Sequence, residues 1–147
     1  MRLVLVHPEI PQNVGTLLRT VACLNVGIDL IEPFGFLWSD RYLRRAGMDY
    51  IHQADYRRYP SWQAYDRDKQ DTVRTIALVP REGVSYVEMR YRPTDHLWVG
   101  SESSGFPPAI QEKADAIVHI PMTNSACRSL NMAIAATLVL GEALRQN

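Results

Sequence analysis

The chain has 147 residues, enough for one domain with its own core. Hydrophobic residues make up 46% and charged residues 22%, a balance that excludes a disordered chain. Sixteen Lys and Arg offset sixteen Asp and Glu, which excludes a uniformly basic body and leaves room only for a local basic patch.

Leu3 to His7 reads as a short buried strand that Pro8 ends. Pro11 then opens a helix to about Leu24, with Asn13 as a plausible cap, and Gly27 stops the chain before a strand over 28–31. Ser39 and Asp40 are cap residues for a helix ending at Ala46 and Gly47. A short strand is expected near 54–56, and Ser61 starts a helix over 62–68. Strands follow over 72–79 and 97–99, with the irregular stretch 80–96 between them as a lid or a crossover. Pro107 or Pro108 begins a helix through Lys113, 116–120 is the last strand, and 129–145 is the last helix. Short, continuously apolar strands alternating with helices are buried on both faces, which calls for a mostly parallel sheet with helices above and below.

Cys23 and Cys127 are too few for a disulfide framework and lack metal-ligand spacing, so both read as reduced thiols in a cytoplasmic setting. No apolar run is long enough for a signal peptide or a membrane span. Three polar loops each follow a short strand. The first, Pro8 to Gly15 with Arg19 on the next turn, offers helix-start amides and a guanidinium that can clamp an anion, or else a simple cap and a surface arginine. The second, Gly100 to Gly105, is a tight loop for a polar ligand or a structural turn. It lacks the phosphate-loop and dinucleotide patterns, and Glu102 disfavours phosphate. The third runs from Ile120 to Asn131, where Ser129 and Asn131 are natural caps. These loops share one crevice if their strands are neighbours. Arg41, Arg44 and Arg45 fall on one helical face, with Arg57, Arg58 and tyrosines nearby, a pattern that suits RNA or a solvated surface. Two lysines leave the positive charge almost entirely on guanidinium groups. The last helix is apolar around most of its circumference, which requires cover on more than one side: either it threads centrally through the fold or it packs against a second subunit, with some contribution from a dimer favoured.

Together, Pro8 to Gly15 with Arg19, 31–36, 43–50, Gly100 to Glu102 with 105–107, and 120–122 with Arg128 to Asn131 carry a resemblance along the whole chain. The chain resembles the SPOUT class of RNA 2′-O-methyltransferases, most nearly the small bacterial tRNA (cytidine/uridine-34 2′-O)-methyltransferases. The resemblance implies a single domain over 1–147, with a C-terminal trefoil knot over roughly 75–147. It implies S-adenosylmethionine bound at Leu78, Gly100, Glu102, Gly105, Ile120, Met122, Ser129 and Leu130. It gives catalytic roles to Arg19, Asn13, Ser129 and Asn131, and RNA contacts to Arg19, Arg41, Arg44, Arg45 and Arg128. It also implies a homodimer with a site built from both subunits, a tRNA anticodon stem-loop as substrate, and no metal, membrane or DNA partner. His7 is the one histidine near the first loop. Departures from the usual pattern include Val14-Gly15-Thr16, a serine at 104 where relatives carry arginine, and a segment 123–127 one residue longer without the usual aspartate. A methyltransferase for another RNA position and a non-catalytic RNA-binding dimer are the alternative readings.

Overall fold

The computed structural model describes residues 1–39 and 48–147. Among these, seven strands form one parallel sheet in the order β3-β2-β1-β6-β4-β7-β5. The strands are β1 (Arg2–Val6), β2 (Gly27–Ile31), β3 (Tyr56–Tyr59), β4 (Thr75–Leu78), β5 (Val84–Ser85), β6 (His96–Val99) and β7 (Ala116–His119). The helices are α1 (Pro11–Leu24), α2 (Trp62–Asp68), α3 (Pro108–Gln111) and α4 (Met132–Arg145), with a 3-10 turn over Met48–Gln53.

Alternate residues of β1 bury on opposite faces. Leu3 and Leu5 join Val14, Leu17 and Val21 of α1 and Ala136 and Leu140 of α4. Val4 and Val6 join Trp62 and Tyr65 of α2 and Ile110 of α3. Burial on both faces is why the strands read as unbroken apolar runs. Each fully buried large aliphatic side chain contributes about 1.5–3 kcal/mol. The expected parallel sheet between helix layers is therefore present.

Several boundaries differ from the sequence reading. β1 ends at Val6 because His7 turns into the left-handed region at φ 53. β3 begins at 56, not 54, after the 3-10 turn, and β5 lies inside the stretch expected to be irregular. β4 starts at 75, β7 stops at 119 and α3 stops at 111. Asn13 does not cap α1. That helix starts from Ile10 with no side-chain cap, and a proline in its first turn removes one amide needing a partner. α4 begins at 132, three residues late, because Asn131 and not Ser129 is the cap. The Asn131 side chain accepts from the amides of Ala133 and Ile134. The helix expected between Ser39 and Gly47 lies outside the described residues.

The side of the sheet facing α2 holds a relay of donors. Trp98 Nε1 donates to the Tyr65 hydroxyl at 2.9 Å, and that hydroxyl lies 2.9 Å from His96 Nδ1. With its oxygen taken by tryptophan, Tyr65 donates onward, and His96 accepts as the neutral imidazole. Burial, assisted by Arg2, lowers the His96 pKa to about 4. Between pH 6.5 and 4 the unfolded chain takes this proton first. Stability is thus full above about pH 6.5 and falls as pH drops toward 4. Thermal melts across that range are expected to show the slope, and His96→Gln is expected to flatten it. An equal slope in the variant would remove His96 as its source.

Candidate active site

β1, β6, β4 and β7 are consecutive neighbours, and the chain reverses its order of strand placement between β1 and β6. Such a reversal leaves a crevice at the carboxyl ends of the strands. A cavity of about 750 Å³ opens there, walled by segments that follow all four strands. The convergence has a plain cause: neighbouring parallel strands deliver their following loops to the same edge.

Leu78, Gly100, Glu102, Gly105, Ile120, Met122, Ser129 and Leu130 all line this cavity, as do Asn13, Asn131 and Arg128. Arg19 does not. It is exposed on α1, with its guanidinium 5.3 Å from the ring centroid of Tyr50. Arg41, Arg44 and Arg45 lie outside the described residues. His7 does not line the cavity either, and burial lowers its pKa.

The Gly100 to Gly105 loop is closed by paired backbone bonds between Ser101 and Gly105, each 3.0 Å. Gly105 sits at φ 68, where a side chain would be strained. A Cβ on Gly100 would lie 2.5 Å from the Gly105 carbonyl carbon and 2.8 Å from the Phe106 nitrogen. The loop is therefore tight because its two ends press backbone on backbone.

Two glutamates hold this loop to the first. The Glu102 carboxylate accepts from the amides of Glu9 and Ile10 at 2.7 and 3.1 Å, and from Asn13 Nδ2 at 3.0 Å. The Glu9 carboxylate in turn accepts from the amide and hydroxyl of Ser103 at 2.9 and 2.7 Å. The anion expected before α1 is thus supplied by the protein itself. Asn13, which is 6% exposed, accepts from Asn131 Nδ2 at 3.0 Å through its own Oδ1. Asn131 caps α4, so one hydrogen-bonded chain links the second loop, the start of α1 and the start of α4.

Sequence reasoning missed three contributors. Arg81, at φ 64, donates to the carbonyls of Ser125 and Cys127 at 3.3 and 2.7 Å and so fixes the third loop. Glu82 and Gln111 meet at 3.0 Å on the cavity wall. Their only signal was a charged pair, Arg81-Glu82, directly after a strand and Pro80.

Apolar Leu78, Ile120 and Leu130 wall the cavity beside polar loop backbone, and the carboxylates Glu82 and Glu102 are its acids. That mixture suits a ligand combining a flat ring, hydroxyls and a positive charge, and disfavours a triphosphate. Among the described residues no group of three or more His, Cys, Asp or Glu is placed to hold a metal ion. Both cysteines are free thiols on the surface, and no described helix is long and apolar enough to cross a membrane.

Known proteins share both sequence and shape with the chain. A tRNA (cytidine(34)-2′-O)-methyltransferase of Beijerinckia indica is 48% identical over 145 residues, covering 98% of this chain and 90% of that protein. A solved structure concerned with 2′-OH methylation of C/U34 on tRNA superposes with a TM-score of 0.94 at 40% identity, covering 99% of this chain and 94% of that one. An AdoMet-bound rRNA methyltransferase from Sinorhizobium meliloti superposes with a TM-score of 0.87 at 28% identity, covering 98% of this chain and 55% of that one. The model of the SpoU rRNA methylase family matches residues 1–141, and with this fold and this crevice the chain belongs to that family.

Proposed function

We propose that the chain transfers a methyl group from S-adenosylmethionine to the ribose 2′-hydroxyl of the wobble nucleotide, cytidine or uridine 34, of tRNA. The observation that carries this reading is the meeting of all eight expected cofactor positions in one cavity. Leu78, Ile120 and Leu130 offer apolar surface to the adenine, and the backbone around Gly100 and Met122 offers polar atoms to the ribose and amino-acid portion. S-adenosylmethionine supplies a methyl group activated by its positively charged sulfur. Asn13, Ser129 and Asn131 orient the substrate, Arg128 and Arg19 bind its phosphates, and Arg19 stabilises the oxygen while its proton passes to solvent water, the O–CH3 bond forming as the S–CH3 bond breaks to leave S-adenosylhomocysteine. The arginine face at 41, 44 and 45 extends the RNA contact.

The site requires a second copy of the chain. On α4, Ile134 and Leu138 are 54% and 42% exposed, and Leu130 just before it is 41% exposed. Ile134 and Leu138, four apart on the helix, share one side, which a homodimer covers. Arg19 is absent from its own cavity wall, which supports its delivery by the partner subunit. Residues 75–147 form the knotted half of a single domain, and the protein works in the cytoplasm on the tRNA anticodon stem-loop.

The test is transfer of labelled methyl groups to an anticodon stem-loop whose nucleotide 34 carries either ribose or 2′-deoxyribose. Label is expected only on the ribose form. Equal labelling of both would place the reaction on another atom. Gly100→Ala probes the cofactor loop, because the new Cβ meets backbone that cannot turn aside. A loss of about 2 kcal/mol is expected, from overpacking, in both stability and cofactor affinity, read by thermal melts and calorimetry. Unchanged values in both would mean the loop is looser than its geometry.

A further inference from the structure

Outside the cavity, a row of aromatic rings runs along the β3 edge of the sheet. Phe34 stacks on Phe36 with centroids 5.3 Å apart and planes 9° from parallel. Trp38 lies 5.6 Å from Phe34 and 6.2 Å from Tyr56. The Arg58 guanidinium sits 4.4 Å above Trp38 and 5.4 Å above Phe34, and donates to Glu32 at 2.8 Å. Phe34, Phe36 and Trp38 pack on the core by one side and remain partly open on the other. Tyr56 is 39% exposed, and Leu37 between the rings is 90% exposed.

The row begins beside the cavity. The Gly35 amide donates to the Pro8 carbonyl at 3.0 Å, and a Cβ on Gly35 would lie 2.8 Å from the Glu9 Cα. Glu9 holds Ser103, and Ile10 and Ser103 are both cavity wall. A chain of contacts thus runs from the cavity rim through Pro8 and Glu9 to Gly35, between Phe34 and Phe36 of the row.

We propose that this row is a stacking platform for the unpaired nucleotides next to the one being methylated. The inference rests on the proposed action on RNA. Every base has a flat π face, so a row of rings receives successive bases without demanding a sequence. A guanidinium fixed over an indole adds a cation to the same surface, and its position is already set by Glu32. Arg57, the next residue along the edge strand, turns to the opposite face of the sheet and pairs with Asp68 of α2 at 3.9 Å, so Arg58 is the β3 arginine on the row.

Tryptophan fluorescence tests this directly. The chain has tryptophans at 38, 62 and 98, and the latter two are only 6% and 1% exposed, so Trp38 is the one a base can stack on. An anticodon stem-loop RNA is expected to quench the emission of the native protein, and Trp38→Phe is expected to abolish that quenching while still binding. Trp38→Ala is expected to weaken binding of the same RNA about tenfold by fluorescence anisotropy, with cofactor affinity unchanged. A fully paired RNA of equal length is expected to bind more weakly and quench little. Quenching that persists in Trp38→Phe, or native affinity in Trp38→Ala, overturns the platform. Should Trp38→Ala fail to fold, the quenching result for Trp38→Phe decides alone. These readings need no methyl transfer. An inactive protein that still shows them would lose the proposed reaction and keep the platform, and an active protein without them would do the reverse.

Discussion

Replacing Arg19 with alanine is expected to lower methyl transfer by about 100- to 1,000-fold, the usual cost of removing one preorganised charge contact to a developing oxyanion. Cofactor affinity and melting temperature are expected to stay near native values. Arg19 is exposed on α1 and does not line the cavity of its own chain. Its position over the Tyr50 ring keeps the guanidinium directed without burying it. Arg19→Lys is expected to recover little, because an ammonium lacks the flat fork of donors that grips a phosphate. Mixing Arg19→Ala subunits with subunits inactivated in the cofactor loop is expected to restore part of the turnover if each site draws its arginine from the partner. Full turnover in the alanine variant would remove Arg19 from the reaction.

The second large effect concerns Glu102. Its carboxylate accepts three hydrogen bonds from the segment that opens α1, two of them from backbone amides. Charge-assisted bonds of this kind are worth about 1.5–3 kcal/mol each, less where solvent can replace the acceptor. Glu102→Ala is therefore expected to cost about 2 kcal/mol in stability, near 6 °C in melting temperature for a chain of this size. Cofactor affinity is expected to fall as well, since the same carboxylate holds the second loop against Asn13 and, through it, the start of α4. Glu9→Ala removes only the reciprocal bonds to Ser103 and is expected to do less. Native melting and native cofactor affinity in Glu102→Ala would show that the clasp does not organise the site.

The limits of α1 were legible because proline and glycine act locally: Pro11 fixes its first turn and Gly27 opens β2 beyond it. The sheet was legible because strands buried on both faces leave unbroken apolar runs. The role of Asn13 was not. A capping reading looks only to neighbouring amides, whereas its partners Glu102 and Asn131 lie 89 and 118 positions away. Leu78 was legible only through the family resemblance, since a leucine at a strand end is ordinarily core. Ser129 resembled a cap as strongly as Asn131 did, and only the bonds that the Asn131 side chain accepts from Ala133 and Ile134 separate them. The ring row was hidden for a similar reason. Phe34, Phe36 and Trp38 alternate with Gly35 and Leu37, but their stacking with Tyr56 and Arg58 depends on where β3 pairs with β2.

Methylation of nucleotide 34 requires one crevice to present a methyl donor to one ribose hydroxyl. Mass spectrometry of tRNA fragments after incubation with the protein and S-adenosylmethionine examines this most directly. The predicted result is a gain of one methylene in mass on the ribose of nucleotide 34 and on no other nucleotide. A gain on a base, a gain at another position, or no gain with cofactor demonstrably bound would contradict it.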